Sequence, residues 1–374
     1  MNVVLSEANL ITRSSELRTL AKQLADQPTL AVDTESNSLY AYQEKVCLIQ
    51  FSTPHTDYLL DPLAIHDLSP LGPIFENSQI LKVFHAAEYD LICLHRDFGF
   101  QFANLFDTMV ATRILGRTTL GLGAILEAEF GMSVDKRQQR ANWGQRPLPQ
   151  HLLDYARMDT HYLIALQEKL RDDLQRTDRW ELAEEDFKRL CKINGKTQEE
   201  DLNTNHSISG GRELPAQQYT VLLQLWDYRD QMARQMNRPL FKVMGDKTLL
   251  AIAEACPKSS EQLKKLPGMT DGQVSRHGRA ILSAVQRGLE ATPVYPPHSQ
   301  RPDERFIVRL EKLRNWRKIS AKSLGVESDV VLPKDLLCEL AKQNPQTKED
   351  LRLVLQDVPW RLERFGGQIL KLLR

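Results

Sequence analysis

The chain has 374 residues, 41% hydrophobic and 26% charged, with Lys plus Arg and Asp plus Glu each totalling 49. That length calls for two or three domains, and that composition excludes a disordered or membrane-embedded chain. A formal net charge of zero excludes a globally basic nucleic-acid coat, so any polyanion site must be local.

In chain order, MNVVLSEANLITRSSE lacks the basic start, apolar run and small-residue cleavage site of a leader, and no apolar run reaches the roughly 18 residues of a spanning helix. The expected location is cytoplasmic, with no membrane partner. SSELRTLAKQLAD (14–26) spaces Leu17, Leu20, Ala21 and Leu24 as a helix behind two serines able to cap it, and Pro28 ends it. LAVDTES, KVCLIQFST (45–53) and TDYLLDP (56–62) read as strands joined by short polar segments, as antiparallel neighbours are. A helix is predicted near 63–77, a strand over QILKVFH (79–85), and a helix in HAAEYDLICLHRDFG that stops at Gly99. FDTMVATRILG (106–116) predicts another helix, capped by Asp107 and stopped by Gly116. Helical segments follow over 122–131, 149–174 and on to about 192. Strands first and interleaved helices later predict an α/β domain with a mixed sheet.

NGKTQEEDLNTNHSISGGRELP (194–215) is polar and nearly free of apolar residues, so part of it is expected to be a linker. Beyond it the pattern is helical and repeats. WDYRDQMARQMNRPLFKV (226–243) resembles 313–330, Leu263 matches Leu351, and RHGRAIL (276–282) matches RFGGQIL (364–370), at an offset close to 88 residues. Two tandem helical domains joined by the Pro-rich ATPVYPPHSQRPD (291–303) are expected. Cys47, Cys93, Cys191, Cys256 and Cys338 are scattered and form no CxxC pair, so they read as reduced packing residues.

Three short motifs carry the chemistry. Asp33 and Glu35 end an apolar strand on one side, since side chains alternate with a period of two. Alone, they equally describe a solvated strand end. Asp90 interrupts an otherwise apolar helix, where aspartate is a poor helix former. Tyr155 and Asp159 stand at i and i+4, one above the other on a helix.

In this order and spacing the set resembles the DEDD exonuclease superfamily in its tyrosine subtype, and the chain from about residue 10 onward is similar to the bacterial ribonuclease D family. AVDTES, VCLIQFS, VFHAAEYDLICL, FDTMVATRIL, NWGQRPL and LLDYARMDTHYL carry the resemblance, and the repeats resemble paired HRDC (helicase and RNase D C-terminal) domains. The resemblance implies an RNase H-like (DnaQ-like) α/β exonuclease domain over residues 1–195, followed by two all-α HRDC domains over 210–292 and 302–374. It implies Asp33, Glu35, Asp90 and Asp159 as ligands of two divalent cations, Mg²⁺ or Mn²⁺, because converging carboxylates need cations to stay ionised and hard oxygen ligands suit these ions. Two such ions about 4 Å apart activate a water and stabilise the leaving 3′-oxygen. Tyr155 would orient that water rather than deprotonate it, since a phenol with a pKa of about 10 is a poor base at neutral pH.

Further expectations concern substrate contacts. His85 lies near the cleft by resemblance, and Gln50 on the strand beside AVDTES faces the terminal nucleotide. DKRQQRANWGQR (135–146) interleaves Lys136, Arg137, Arg140 and Arg146 with Trp143, which suits a groove that tracks a backbone and stacks a base. In the repeats Arg229, Lys242, Lys264, Lys265, Arg276 and Arg279 line a conceivable polyanion path. The implied activity is a 3′→5′ exoribonuclease, active as a monomer, that trims structured RNA, tRNA precursors above all. A DNA exonuclease is the nearest alternative, and a noncatalytic RNA-binding scaffold is the alternative from another class.

Overall fold

The computed structural model describes residues 8–132, 136–192, 208–296 and 303–374. Residues 194–207 of the polar linker and 297–302 of the Pro-rich connection therefore lie outside the described residues. The chain divides into two compact units, one formed by Met1–Ser36, Val46–Gly195 and Arg301–Arg374, the other by Asn37–Lys45 and Lys196–Gln300.

The first unit is built on a six-stranded mixed sheet. Its strands are β1 (Asn9–Ile11), β2 (Thr29–Ser36), β3 (Val46–Ser52), β4 (Asp57–Leu60), β5 (Leu81–Phe84) and β6 (Leu105–Asp107), in the order β1-β4-β3-β2-β5-β6. β2 pairs antiparallel with β3 and β3 with β4, as the short connections predict, while β5 runs parallel to β2. β3 is buried along its whole length, as a strand covered on both faces must be. Alternation along β2 divides its residues. Leu30 and Val32 pack with Leu17, Leu20 and Leu24 of α1 (Ser14–Ala25) and with Leu91 and Leu94 of α3 (Glu88–Phe98). Ala31 packs on the other face with Ala111 of α4 (Thr108–Ile114) and Leu163, Leu166 and Leu170 of α7 (Leu163–Arg176). Asp33 and Glu35 continue the Ala31 face.

Several expectations need correction. The serines do not cap α1; Glu16 reaches back to the backbone N–H groups of Thr12 and Arg13, both at 3.1 Å. The helix predicted near 63–77 shrinks to a 3₁₀ turn over Ser69–Leu71 and α2 (Gly72–Glu76), because Pro70 and Pro73 can only occupy helix starts. β1 and β6 escaped notice, since three residues are too few to display alternation. The long helix over 149–174 is two, α6 (Gln150–His161) and α7, broken at Tyr162. α3 stops where expected, with Gly99 at φ 72°. α5 (Leu122–Phe130) and α8 (Trp180–Leu190) complete this part.

The repeat is exact in register. α9 (Ala216–Met236), α10 (Leu240–Val243), α11 (Asp246–Ala255), α12 (Ser260–Leu263) and α13 (Asp271–Glu290) recur as α14 (Glu304–Leu324), α15 (Ser328–Val331), α16 (Lys334–Gln343), α17 (Lys348–Val354) and α18 (Pro359–Leu373), every start displaced by 88 residues. Trp226 therefore corresponds to Arg314, one position on from the expected match with Leu313. Leu263 and Leu351, Leu249 and Leu337, and Ile281 and Ile369 are buried pairs of equivalents. A Cβ on Gly278 would lie 3.7 Å from Leu263, and one on Gly366 3.2 Å from Leu351, so both glycines admit the same leucine. Each repeat closes its own apolar core.

Candidate active site

β2 and α6 supply the centre of the site. One carboxylate oxygen each from Asp33, Glu35 and Asp159 lies within 4.8 Å of the others. The strand places the first two on the face that α6 covers, and the helix brings Asp159 down onto it. Asp90 arrives from the opposite side of the strand end, on α3, whose apolar stripe packs against the Leu30–Val32 face. Thr34, pointing to that face between the two acids, donates from Oγ1 to Asp90 Oδ1. Nothing in the sequence singled out Thr34; its role follows from alternation once α3 is known to lie beneath it.

The electrostatics are those of crowded acids in a dry place. Burial, then Asp90, Asp159 and Glu35, hold the Asp33 carboxyl well above the carboxylate range. Burial, with Asp159 and Asp90, pushes Glu35 to about 9, and burial raises Asp90 and Asp159 to about 7. Anions this close cannot all ionise without a counter-charge. An all-oxygen donor set that resists ionisation fits a hard divalent cation. The Tyr155 hydroxyl is hydrogen-bonded to Asp159, and burial with the charges of Asp159 and Glu35 drives the phenol above its ordinary pKa.

Asp107 is near these acids but is not one of them in function. Its carboxylate accepts from Met109 N and Val110 N, capping α4 as expected, and from Ala86 N and Ala87 N at 3.1 and 2.7 Å. Four backbone donors leave little of it for a cation. They also hold Ala86, at φ 60°, in the turn that launches α3.

A model described as 3'-5' exonuclease matches residues 8–175, and one described as HRDC domain matches 218–285 and 307–373. Ribonuclease D of Sphingobium indicum is 30% identical, with 96% of this chain and 92% of that protein covered. The chain belongs to the ribonuclease D family. Protein RRP6-like 1 of Arabidopsis thaliana is 31% identical over 96% of the chain, and the chain spans 60% of that relative's length. The crystal structure of Escherichia coli RNase D, described as an exoribonuclease involved in structured RNA processing, shares the fold at a TM-score of 0.71 and 23% identity, covering 98% of this chain and 99% of that one. An exonuclease domain of this family implies the use of divalent metal, and Asp33, Glu35 and Asp159 form an acidic cluster of the oxygen donors such an ion takes.

The ribonuclease D frame does not rescue every expected substrate contact. Trp143 is 1% exposed and packs on Tyr155, ring centroids 6.1 Å apart, so it walls the tyrosine and offers no face to a base. Arg146 is spent on Asp61, on both carboxylate oxygens, and on the carbonyls of Cys47, Trp143 and Gln145. The motif's basic content was legible, but the fold consumes these two side chains in closing the loop. Gln50 pairs with Asp33 across β2 and β3, so it shares the face of the acids, and it is fully buried with both amide atoms unpartnered among the described residues. His85 is half-buried, its Nδ1 2.9 Å from Thr108 Oγ1. In the first repeat, Arg229 is 4% exposed and bonds Asp246 and the Met244 carbonyl, which removes it from any polyanion path. Lys242 stacks over Tyr40 and Lys264 pairs with Asp271.

Proposed function

We propose that the chain is a 3′→5′ exoribonuclease that trims structured RNA precursors, tRNA above all, and releases nucleoside 5′-monophosphates. The observation that carries this reading is the meeting of Asp33, Glu35 and Asp159 within 4.8 Å, beside a tyrosine one turn from the last acid. Asp33, Glu35, Asp90 and Asp159 would hold two cations, Mg²⁺ or Mn²⁺. When bound, the cations supply the positive charge that draws in a phosphodiester and stabilises the charge that builds on it in displacement.

The chain's own groups do the rest. The Tyr155 hydroxyl donates to Asp159, leaving its oxygen to accept a hydrogen bond from a water and aim that water at phosphorus. A phenol held above its usual pKa stays protonated at neutral pH, so orientation is its task. Thr34 keeps the Asp90 carboxylate turned to the strand end. Trp143 closes the side of Tyr155 away from the acids to solvent. Water attacks phosphorus and the 3′-oxygen leaves, which fixes the product as a 5′-monophosphate.

We assign residues 1–195 to the nuclease domain and 210–292 and 302–374 to two HRDC domains, a division supported by the ranges that the family models match. A cytoplasmic monomer is the working state; no helix among the described residues is long and apolar enough to cross a membrane. Matched RNA and DNA strands with 3′-hydroxyl ends, incubated with Mg²⁺, Mn²⁺ or EDTA, test the reading. We expect stepwise loss of RNA from the 3′ end that EDTA stops. Degradation that survives EDTA would sink the metal requirement, and DNA cut faster than RNA would replace the substrate.

A further inference from the structure

α6 packs across three neighbouring strands, β2, β3 and β4. With 3.6 residues per turn, Tyr155 and Asp159 leave the helix on one flank, toward β2. Arg157 and His161, also one turn apart, leave on the other flank, toward β4. Both end on one carboxylate. Arg157 Nε donates to Asp57 Oδ2 at 2.8 Å, and His161 Nδ1 lies 3.1 and 2.9 Å from the two Asp57 oxygens. On the middle strand, Ser52 Oγ donates to Asp57 Oδ1 at 2.7 Å and sits 2.7 Å from Thr160 Oγ1. Asp57, Arg157, Ser52 and Thr160 are each no more than 7% exposed.

We propose that Asp57 is a positioning residue that sets the roll of α6, and through it the placement of Tyr155 and Asp159 against Asp33 and Glu35. This rests on the reading of Tyr155 and Asp159 as catalytic. The sheet order makes the coupling mechanical: β4 and β2 flank β3, so a clamp on the β4 side fixes what the helix presents on the β2 side. Side-chain tips lie about 6 Å from a helix axis, so a roll of about 10° displaces them by about 1 Å. A displacement of about 1 Å at a reacting centre costs on the order of 10²-fold in rate. Among the described residues, Asp57 is the charged group on which both Arg157 and His161 converge; the Ser52–Thr160 contact lies near the centre of rotation and resists a roll weakly.

Three variants of the full chain test this, Asp57→Asn, His161→Ala and His161→Gln, the last keeping a donor for Asp57. With a 3′-hydroxyl oligoribonucleotide and Mn²⁺, Asp57→Asn should lower kcat by on the order of 10²-fold while KM changes by less than about threefold. Mn²⁺ titration followed by electron paramagnetic resonance, without RNA, should show weaker binding in Asp57→Asn and His161→Ala and recovery in His161→Gln. His161 is partly exposed, so its variants decide the matter if Asp57→Asn does not fold. Wild-type kcat and Mn²⁺ affinity in a folded Asp57→Asn would overturn the proposal, as would His161→Ala and His161→Gln behaving alike. Failure of the wild type to cut RNA would count against the exoribonuclease reading, and the Mn²⁺ titration would still judge the clamp.

Discussion

Glu35, Asp90 and Asp159 keep their protons far above the range in which free carboxylates lose them, because burial comes first and neighbouring acids add to it. In the unfolded chain these groups titrate at about 4. Between that pH and the folded values the native state binds more protons than the unfolded one, so stability must fall as pH rises. We expect the melting temperature in EDTA to decline from about pH 4 to pH 9, the window set by the folded values of about 7 and about 9. Mg²⁺ should flatten that decline. A melting temperature that rises with pH in EDTA would refute the assignment of raised carboxyls. Asp90→Asn should abolish turnover and leave a cooperative unfolding transition, because it keeps an acceptor for Thr34 Oγ1 while removing the charge. Tyr155→Phe should slow turnover by at least about 10²-fold, as the loss of a positioned hydroxyl does, with Mn²⁺ binding retained. These acids and the tyrosine stood out in the sequence through the family resemblance that their order and spacing carry. Thr34 and Asp57 did not, since their roles depend on which helix covers which face.

Helices and strands obey the same distinction. α3, α4 and α5 each announced one end, through Gly99, Asp107 and Gly131, whereas α2 was overdrawn because two prolines shorten what an apolar pattern extends. The basic stretch before α6 was visible as charge, but whether Arg146 meets RNA or Asp61 is decided by distant chain. Within the repeats equivalent positions make equivalent bonds. Arg229 on α9 donates to the Met244 carbonyl at 3.1 Å, and Arg317 on α14 donates to the Leu332 carbonyl at 2.9 Å, positions that correspond under the 88-residue shift. Each ties a long helix to the end of the short helix that follows it. Replacing either arginine by methionine keeps the apolar stem and strands a carbonyl, a loss of about 1–3 kcal/mol. Chemical denaturation of the two variants should show similar losses; a neutral result in both would remove the bond from the account of the repeat.

At the scale of the molecule, the second repeat is joined to the nuclease body inside one compact unit. Arg361, fully buried on α18, bonds Glu185 and Asp186 of α8, both at 2.9 Å, and the Val330 carbonyl. Arg113 pairs with Asp329, and Arg189 with Asp335 at 2.7 Å. Breaking a buried pair from one side costs about 3–5 kcal/mol, since the other charge stays behind. Arg361→Gln should therefore destabilise the first unit by about that amount in a denaturant titration, and an unchanged midpoint would refute the importance of this contact. The composition of the repeats was readable in sequence; this attachment was not, because it is made by residues 175 and 176 positions apart.

The constant 88-residue period marks the two repeats as copies of one ancestral unit. Where no insertion separates two copies, each position in one has a single counterpart, so their differences date from after they parted. Arg361 and its counterpart Gln273 both donate to the equivalent carbonyl, Val331 at 3.2 Å and Val243 at 3.4 Å, but Arg361 goes on to Glu185 and Asp186, and the counterpart of Asp246, the partner of Arg229, is Lys334. Shared positions such as Leu263, Leu351 and the two arginines record what folding demanded of both copies. The unshared ones record separate employments, and each repeat thereby serves as the reference against which the other's acquired role can be measured.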